Sequence, residues 1–213
     1  INYLLSLPTN LTEMRTFLLI LLSTFFIIAK TDAQPKQEIR ATWITTLGGM
    51  DWPRNKATNA STILKQQQEF CAILDQLKKA NFNTVMLQTR LRGDLIYPSA
   101  FETFPEALTG KTGRNPGYDP LAFAIEECHK RGMELHAWIN PYRARTKGTK
   151  YIAYNHMSKK RPENFIEFEG QLYFNPALQS NREHICGIVR DILNRYDVDG
   201  IHIDDYFYPY PVR

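Results

Sequence analysis

Near the carboxyl end of the chain, Asp199-Gly200-Ile201-His202-Ile203-Asp204-Asp205-Tyr206 puts two carboxylates where a short apolar run stops. Paired acids at the rim of a pocket repel each other and lose hydration, a cost that sites of acid, base or nucleophilic chemistry accept. Alternation along a strand sends Ile201 and Ile203 to one face and His202 and Asp204 to the other. Asp204 is thus the candidate nucleophile, cation stabiliser or base, with Asp205 beside it as a second catalytic candidate. The bland alternative has Asp205 capping a turn and Asp204 paired with an arginine. The aromatic-proline run that follows, beginning at Tyr206, could line a ligand cleft.

Three more segments end in residues of the same kind. His136-Ala137-Trp138-Ile139-Asn140-Pro141-Tyr142-Arg143 offers Trp138 and Tyr142 as flat apolar platforms and Asn140 and Arg143 as hydroxyl-holding groups. Gln88-Thr89-Arg90-Leu91-Arg92 supplies Arg90, a cation suited to keep Asp204 ionised. Trp43 and Thr45 precede a Gly48-Gly49-Met50-Asp51-Trp52-Pro53 loop. Aromatic platforms beside hydrogen-bonding groups suit a sugar, so the substrate-binding set is Trp43, Arg90, Trp138, Asn140, Tyr142, Arg143, His202 and Tyr206.

The elements that must carry these residues alternate. Strands are expected at 39–45, 83–89, 133–139 and 200–204, and amphipathic helices at about 61–80, from Asp119-Pro120 to Gly132, and from Asn175-Pro176 through Leu193. In the helices Ile63, Phe70, Ile73, Leu74 and Leu77 form one apolar face, and Leu178, Ile185, Val189, Ile192 and Leu193 another. Such alternation implies a parallel sheet with right-handed crossovers. Helix-to-strand turns are two or three residues long by the spacing, whereas the strand-to-helix segments 46–60, 90–118 and 140–175 are long. Elaboration on the carboxyl ends alone is how a TIM barrel builds a cleft, and no glycine-rich phosphate loop follows any strand. The expected fold is α/β, the amino-terminal half of a TIM barrel of about four β/α units, with further strands beyond Arg213.

A net charge of +4 with lysines and arginines scattered among acids does not make a nucleic-acid footprint. Met14-Arg15 followed by the apolar run Phe17–Ala29 and small residues at Thr31 and Ala33 reads as a signal peptide over 14–33. Residues 1–13 would then be an upstream extension, and 34–213 an exported domain, periplasmic or extracellular, with no stable membrane span after cleavage. Cys71, Cys128 and Cys186 are an odd set on three different helices and read as small buried apolar residues. No metal-ligand spacing is present, so neither a metal nor another cofactor is expected.

The chain resembles the bacterial glycosyl-hydrolase-like family 10, a domain of unknown function numbered 187. The likeness runs through Glu38-Ile39-Arg40-Ala41-Thr42-Trp43-Ile44-Thr45, Gln88-Thr89-Arg90, Tyr97-Pro98-Ser99, Asn115-Pro116-Gly117-Tyr118-Asp119-Pro120-Leu121 and His129-Lys130-Arg131-Gly132. It continues in His136 to Arg143 and in Tyr196 to Pro209. The resemblance implies a TIM-barrel glycosidase of the cell envelope or exterior, acting on a polysaccharide or oligosaccharide such as peptidoglycan glycan strands. A more distant likeness is to the α-amylase clan, whose strand-four motif Asp-Gly-x-Arg-x-Asp ends in the nucleophile. Asp199-Gly200-Ile201-His202-Ile203-Asp204 follows it with His202 in place of arginine, and Asn140 falls where that clan keeps an asparagine. Two other readings stay open: a glycan-binding barrel without catalysis, and metal-dependent hydrolysis by His202, Asp204 and Asp205.

Overall fold

The computed structural model describes residues 38–149, 151–204 and 209, together with 10, 14 and 15. The expected leader at 14–33 and the candidates Asp205 and Tyr206 lie essentially outside the described residues. Among the described residues no helix is long and apolar enough to cross a membrane.

Four parallel strands form the centre: β1 (Ala41–Ile44), β2 (Thr84–Arg90), β3 (Glu134–Ile139) and β7 (Gly200–His202). Their order in the sheet is β1-β2-β3-β7, so each new strand is added beside the previous one on the same side. A doubly wound sheet reverses its order at a switch point; this one does not. It is the progression of a β/α barrel.

Register places Ile44, Leu87, Ala137 and Ile201 level on one face. That face packs against α1 (Ala60–Lys79), α3 (Pro120–Lys130) and α5 (Gln179–Arg195) through Phe70, Leu74, Leu121, Ile125, Cys128, Ile188 and Ile192. All three long helices therefore serve one side of the sheet, and the other side carries Trp43, Met86, His136, Gln88, Trp138 and His202. Trp43 on the first strand reaches His202 on the last, with ring centroids 5.6 Å apart. In a flat sheet three strand intervals span roughly 14 Å, so the sheet is curled with this second face concave. Gly200 allows it: a Cβ there would lie 2.7 Å from Nδ1 of His136 on the neighbouring strand.

Local sequence accounts for the helix starts with one exception. Asn59 and Thr62 form a reciprocal capping box on α1, and Asp119 Oδ1 accepts from the Leu121 and Ala122 amides ahead of α3. Asn175-Pro176 was expected to do the same for α5, but the helix begins at Gln179. Asn175 spends its side chain on the Ala177 amide and its carbonyl on the Leu178 amide, making a turn before the helix. Leu193, expected in the core, faces solvent, and Ile188 takes the buried position. Of the cysteines, Cys128 is buried, Cys71 is half-buried and Cys186 is exposed; none is paired. The single-class reading of all three as buried thus holds for one.

The segment expected as a plain loop after β3 contains a second sheet. β4 (Arg143–Arg145), β5 (Phe165–Phe168) and β6 (Gln171–Phe174) pair antiparallel in the order β4-β6-β5. Two one-turn helices, α2 (Glu106–Thr109) and α4 (Met157–Lys160), sit in the long segments after β2 and β3.

One buried ion pair ties these layers together. Arg90, at the end of β2, is 0% exposed. Its Nε and Nη2 donate to Glu102 at 2.8 and 2.6 Å, and its Nη1 donates to the carbonyls of Asn140 and Pro141. His184 of α5 meets the same carboxylate at 2.9 Å, and the guanidinium lies over the Phe174 ring. Burial alone would raise the Glu102 carboxyl, but Arg90 and His184 outweigh it and hold it at about 2.

A carboxyl held there, below its ordinary 4.5, contributes roughly 3 kcal/mol of stability at neutral pH. The contribution is complete above pH 4.5 and is lost as pH falls towards 2. Glu102→Gln leaves Arg90 buried without its counter-charge and should cost about 3–5 kcal/mol at pH 7 in urea unfolding. The gap from the wild type should narrow steadily between pH 4.5 and 2; a gap independent of pH would remove the ion pair as its source.

Candidate active site

The carboxyl ends of the four strands bring most of the expected residues to one side. Trp138 and His202 are register partners on β3 and β7, with Gln88 level on β2. Gln88 Oε1 accepts from Thr45 Oγ1 at 2.6 Å and from the Thr46 amide at 3.0 Å, which anchors the end of β1 to β2. Asn140 is buried, and its Oδ1 accepts from the Arg143 amide at 2.9 Å, turning the chain from β3 into β4. Tyr142 and Arg143 are half-buried on that turn. Asp204 follows His202 by two residues and is exposed, as is Ile203.

The contact across the concave face fixes a protonation state. Trp43 Nε1 donates to His202 Nε2 at 2.9 Å. Indole nitrogen can only donate, so Nε2 must be the unprotonated nitrogen and the proton must sit on Nδ1. A neutral imidazole thus stands where the amylase-type motif has a permanent cation, and its remaining hydrogen-bonding function is a donor. Trp138 Nε1 is a second donor on this face: it is buried and has no partner among the described residues. These two ring N–H groups can donate to hydroxyls, and the exposed Asp204, two residues past His202, can supply an oxygen nucleophile or charge stabiliser. Trp43, which is 52% exposed, adds an apolar ring surface.

One expectation changes. Arg90 was assigned to substrate and to Asp204, but every nitrogen of its guanidinium is engaged by Glu102 or by the carbonyls after β3, and none reaches solvent. It holds the frame of the site. His136, on the concave face, contacts Glu134 at 3.3 Å on its own strand. Glu102, His184 and Gln88 were missed. A buried arginine demands a carboxylate, yet the 99–105 segment holding Glu102 has no periodicity to mark it as inward. Among the described residues no group of three or more histidines, cysteines and acids is placed to hold a metal ion.

With this geometry in hand, similarity to known proteins is informative. A family model described as "Glycosyl hydrolase-like 10" matches residues 38–212. "Glycosyl hydrolase YngK" of Bacillus subtilis is 39% identical over 201 residues, covering 92% of this chain and 39% of its own. "Glycosyl hydrolase DigH" of Escherichia coli K12 is 36% identical over 192 residues, covering 84% of this chain and 44% of its own. The chain therefore spans about two fifths of the length of these relatives. Among solved structures, a maltogenic α-amylase, AmyB, from Thermotoga neapolitana superposes with a TM-score of 0.50 at 16% identity, over 79% of this chain and 39% of that one. That likeness concerns the fold, a partial TIM barrel.

The Trp43–His202 contact can be tested directly. In ¹⁵N spectra of the wild type, His202 Nε2 should resonate as the unprotonated nitrogen and Nδ1 as the protonated one. Trp43→Phe keeps a ring but removes the donor, and the proton should then redistribute towards Nε2. An Nε2–H form already dominant in the wild type would contradict the assignment.

Proposed function

We propose, from the premise that this chain belongs to the glycosyl hydrolase-like family 10, that it carries half of an exported glycoside hydrolase site acting on a cell-envelope glycan. The single observation that supports this most is the cluster at the ends of β3 and β7: the unpartnered Trp138 N–H and the neutral His202 donor two residues before Asp204. In this reading Asp204 acts at the anomeric carbon, as nucleophile or as stabiliser of the cationic transition state. Its segment follows the strand next to Trp138, and its side chain is exposed. Trp43, Trp138 and Tyr142 give flat surfaces to sugar rings, and Asn140 and Arg143 shape the turn over them.

The step needs a second carboxyl group as general acid. Asp205 is the nearest such group in sequence, and the resemblance to the amylase clan places the clan's own acid on the next strand. Peptidoglycan glycan strands are the proposed substrate and the periplasm or exterior the proposed location, supported by the leader-like pattern of 14–33.

In the full-length protein, Asp204→Asn should lower kcat on peptidoglycan glycan strands by about three orders of magnitude, roughly 4 kcal/mol of barrier, with KM little changed. Reducing-end release checks this. Unchanged turnover would remove Asp204 from the mechanism, and strand binding without any turnover in the wild type would make the protein a glycan-binding barrel.

A further inference from the structure

Away from the concave face, two clefts open on the carboxyl-end side of the sheet. The first, about 270 Å³, is lined by Thr46 after β1, by Leu91, Arg92 and Asp94 after β2, by residues of 105–112, and by Ala144, Thr149, Tyr151, Ile152 and His156. The second, about 690 Å³, continues from it, because Glu106, Gly110, Thr112 and Tyr151 line both. Neither contains any of the residues assigned above to the glycosidase site.

The lining has an unusual composition for a solvated surface. Tyr151 and Tyr154 are 62% and 86% exposed, two aromatic rings left in water at the outer end of the groove. Lys56, Arg92, Lys111 and Arg114 contribute four cations against Glu106 and Asp94. Two of those cations are held in place: Lys56 Nζ donates to the Pro53 and Ala107 carbonyls, and Arg114 donates to the Thr58 carbonyl. Burial pushes the Asp94 carboxyl up and the Lys56 and Arg92 side chains down. Arg92 Nε and Asn155 Oδ1 in the lining are buried with no partner among the described residues. Aromatic faces with fixed cations and spare polar atoms match a sugar chain that bears carboxylates.

We propose that the groove from Thr46 and Arg92 out to Tyr151 and Tyr154 is a second glycan subsite that holds an acidic polysaccharide beyond the strand-end site. The inference rests on the glycosidase reading in taking a glycan as ligand. It adds the acidic character of that chain and its route across the molecule. Long chains fill both regions, whereas a disaccharide fills the strand-end site alone.

The test uses the full-length protein with Asp204→Asn, so that strands survive, and peptide-free peptidoglycan glycan strands as the probe in calorimetry. Adding Tyr151→Ala and Tyr154→Ala should weaken binding about tenfold; the exposure of both rings keeps the fold, which unchanged thermal unfolding verifies. Strands whose carboxylates have been amidated should bind the unaltered groove about tenfold less well. In an otherwise wild-type protein the two tyrosine changes should lower kcat/KM on strands but leave a disaccharide substrate unaffected. Unchanged strand affinity in the tyrosine variant would overturn the groove, and equal affinity for native and amidated strands would overturn its acidic preference. Absence of turnover with tyrosine-dependent binding intact would count against the glycosidase reading and leave this one standing.

Discussion

A guanidinium taken fully out of water is the constraint around which this structure is arranged. Arg90 ends β2, and its charge must be met inside the protein, because leaving a buried charge unpaired costs several kcal/mol. The carboxylate comes from Glu102, folded back by the long segment after β2, and two carbonyls come from the turn after β3. His184 adds α5 to the same carboxylate. Two long connections and α5 are thereby pinned together at the carboxyl end of the sheet. The turn carrying Asn140, Tyr142 and Arg143 is held by the charge beneath it, so this rim is fixed from below although it is made of loop.

Curvature is the second consequence of packing. Helices crowd one face with Phe70, Leu74, Leu121, Ile188 and Ile192, and the other face keeps large polar rings. The rings close on each other across the sheet, as Trp43 and His202 show. That contact converts a histidine, which could have been a cation, into a neutral donor. Family membership and the barrel-type likeness agree with this geometry, and a β/α barrel keeps its chemistry at the carboxyl ends of its strands.

Much of this was legible from residue pattern. Alternating strand and helix signals located all four parallel strands to within two residues at most ends, and Asp119-Pro120 marked a helix start because a proline at the first turn and an acceptor before it leave little choice. The asymmetry of loop lengths pointed to the carboxyl end. What was hidden depends on partners distant in sequence. Strands β4, β5 and β6 are three or four residues long, too short for alternation to stand out, and are stabilised by each other and by Phe174. Asn175-Pro176 carries the same signal as Asp119-Pro120 yet makes a turn, since Asn181 of α5 reaches back to the Asn164 and Asn175 carbonyls and sets the helix start further on. Arg90 was recognised as inward, but its choice of Glu102 over Asp204 is a matter of loop path, which no local pattern encodes.

The central claim is that Asp204, with His202 and Trp138, faces the sugar at the mouth of a closed barrel. The most direct measurement is a crystal structure of the full-length protein bound to a peptidoglycan glycan fragment, with Asp204→Asn to preserve it. The account expects a sugar ring with its anomeric carbon beside residue 204 and a hydroxyl accepting from Trp138 Nε1. A ring bound elsewhere, with residue 204 turned beneath the helices, would contradict it.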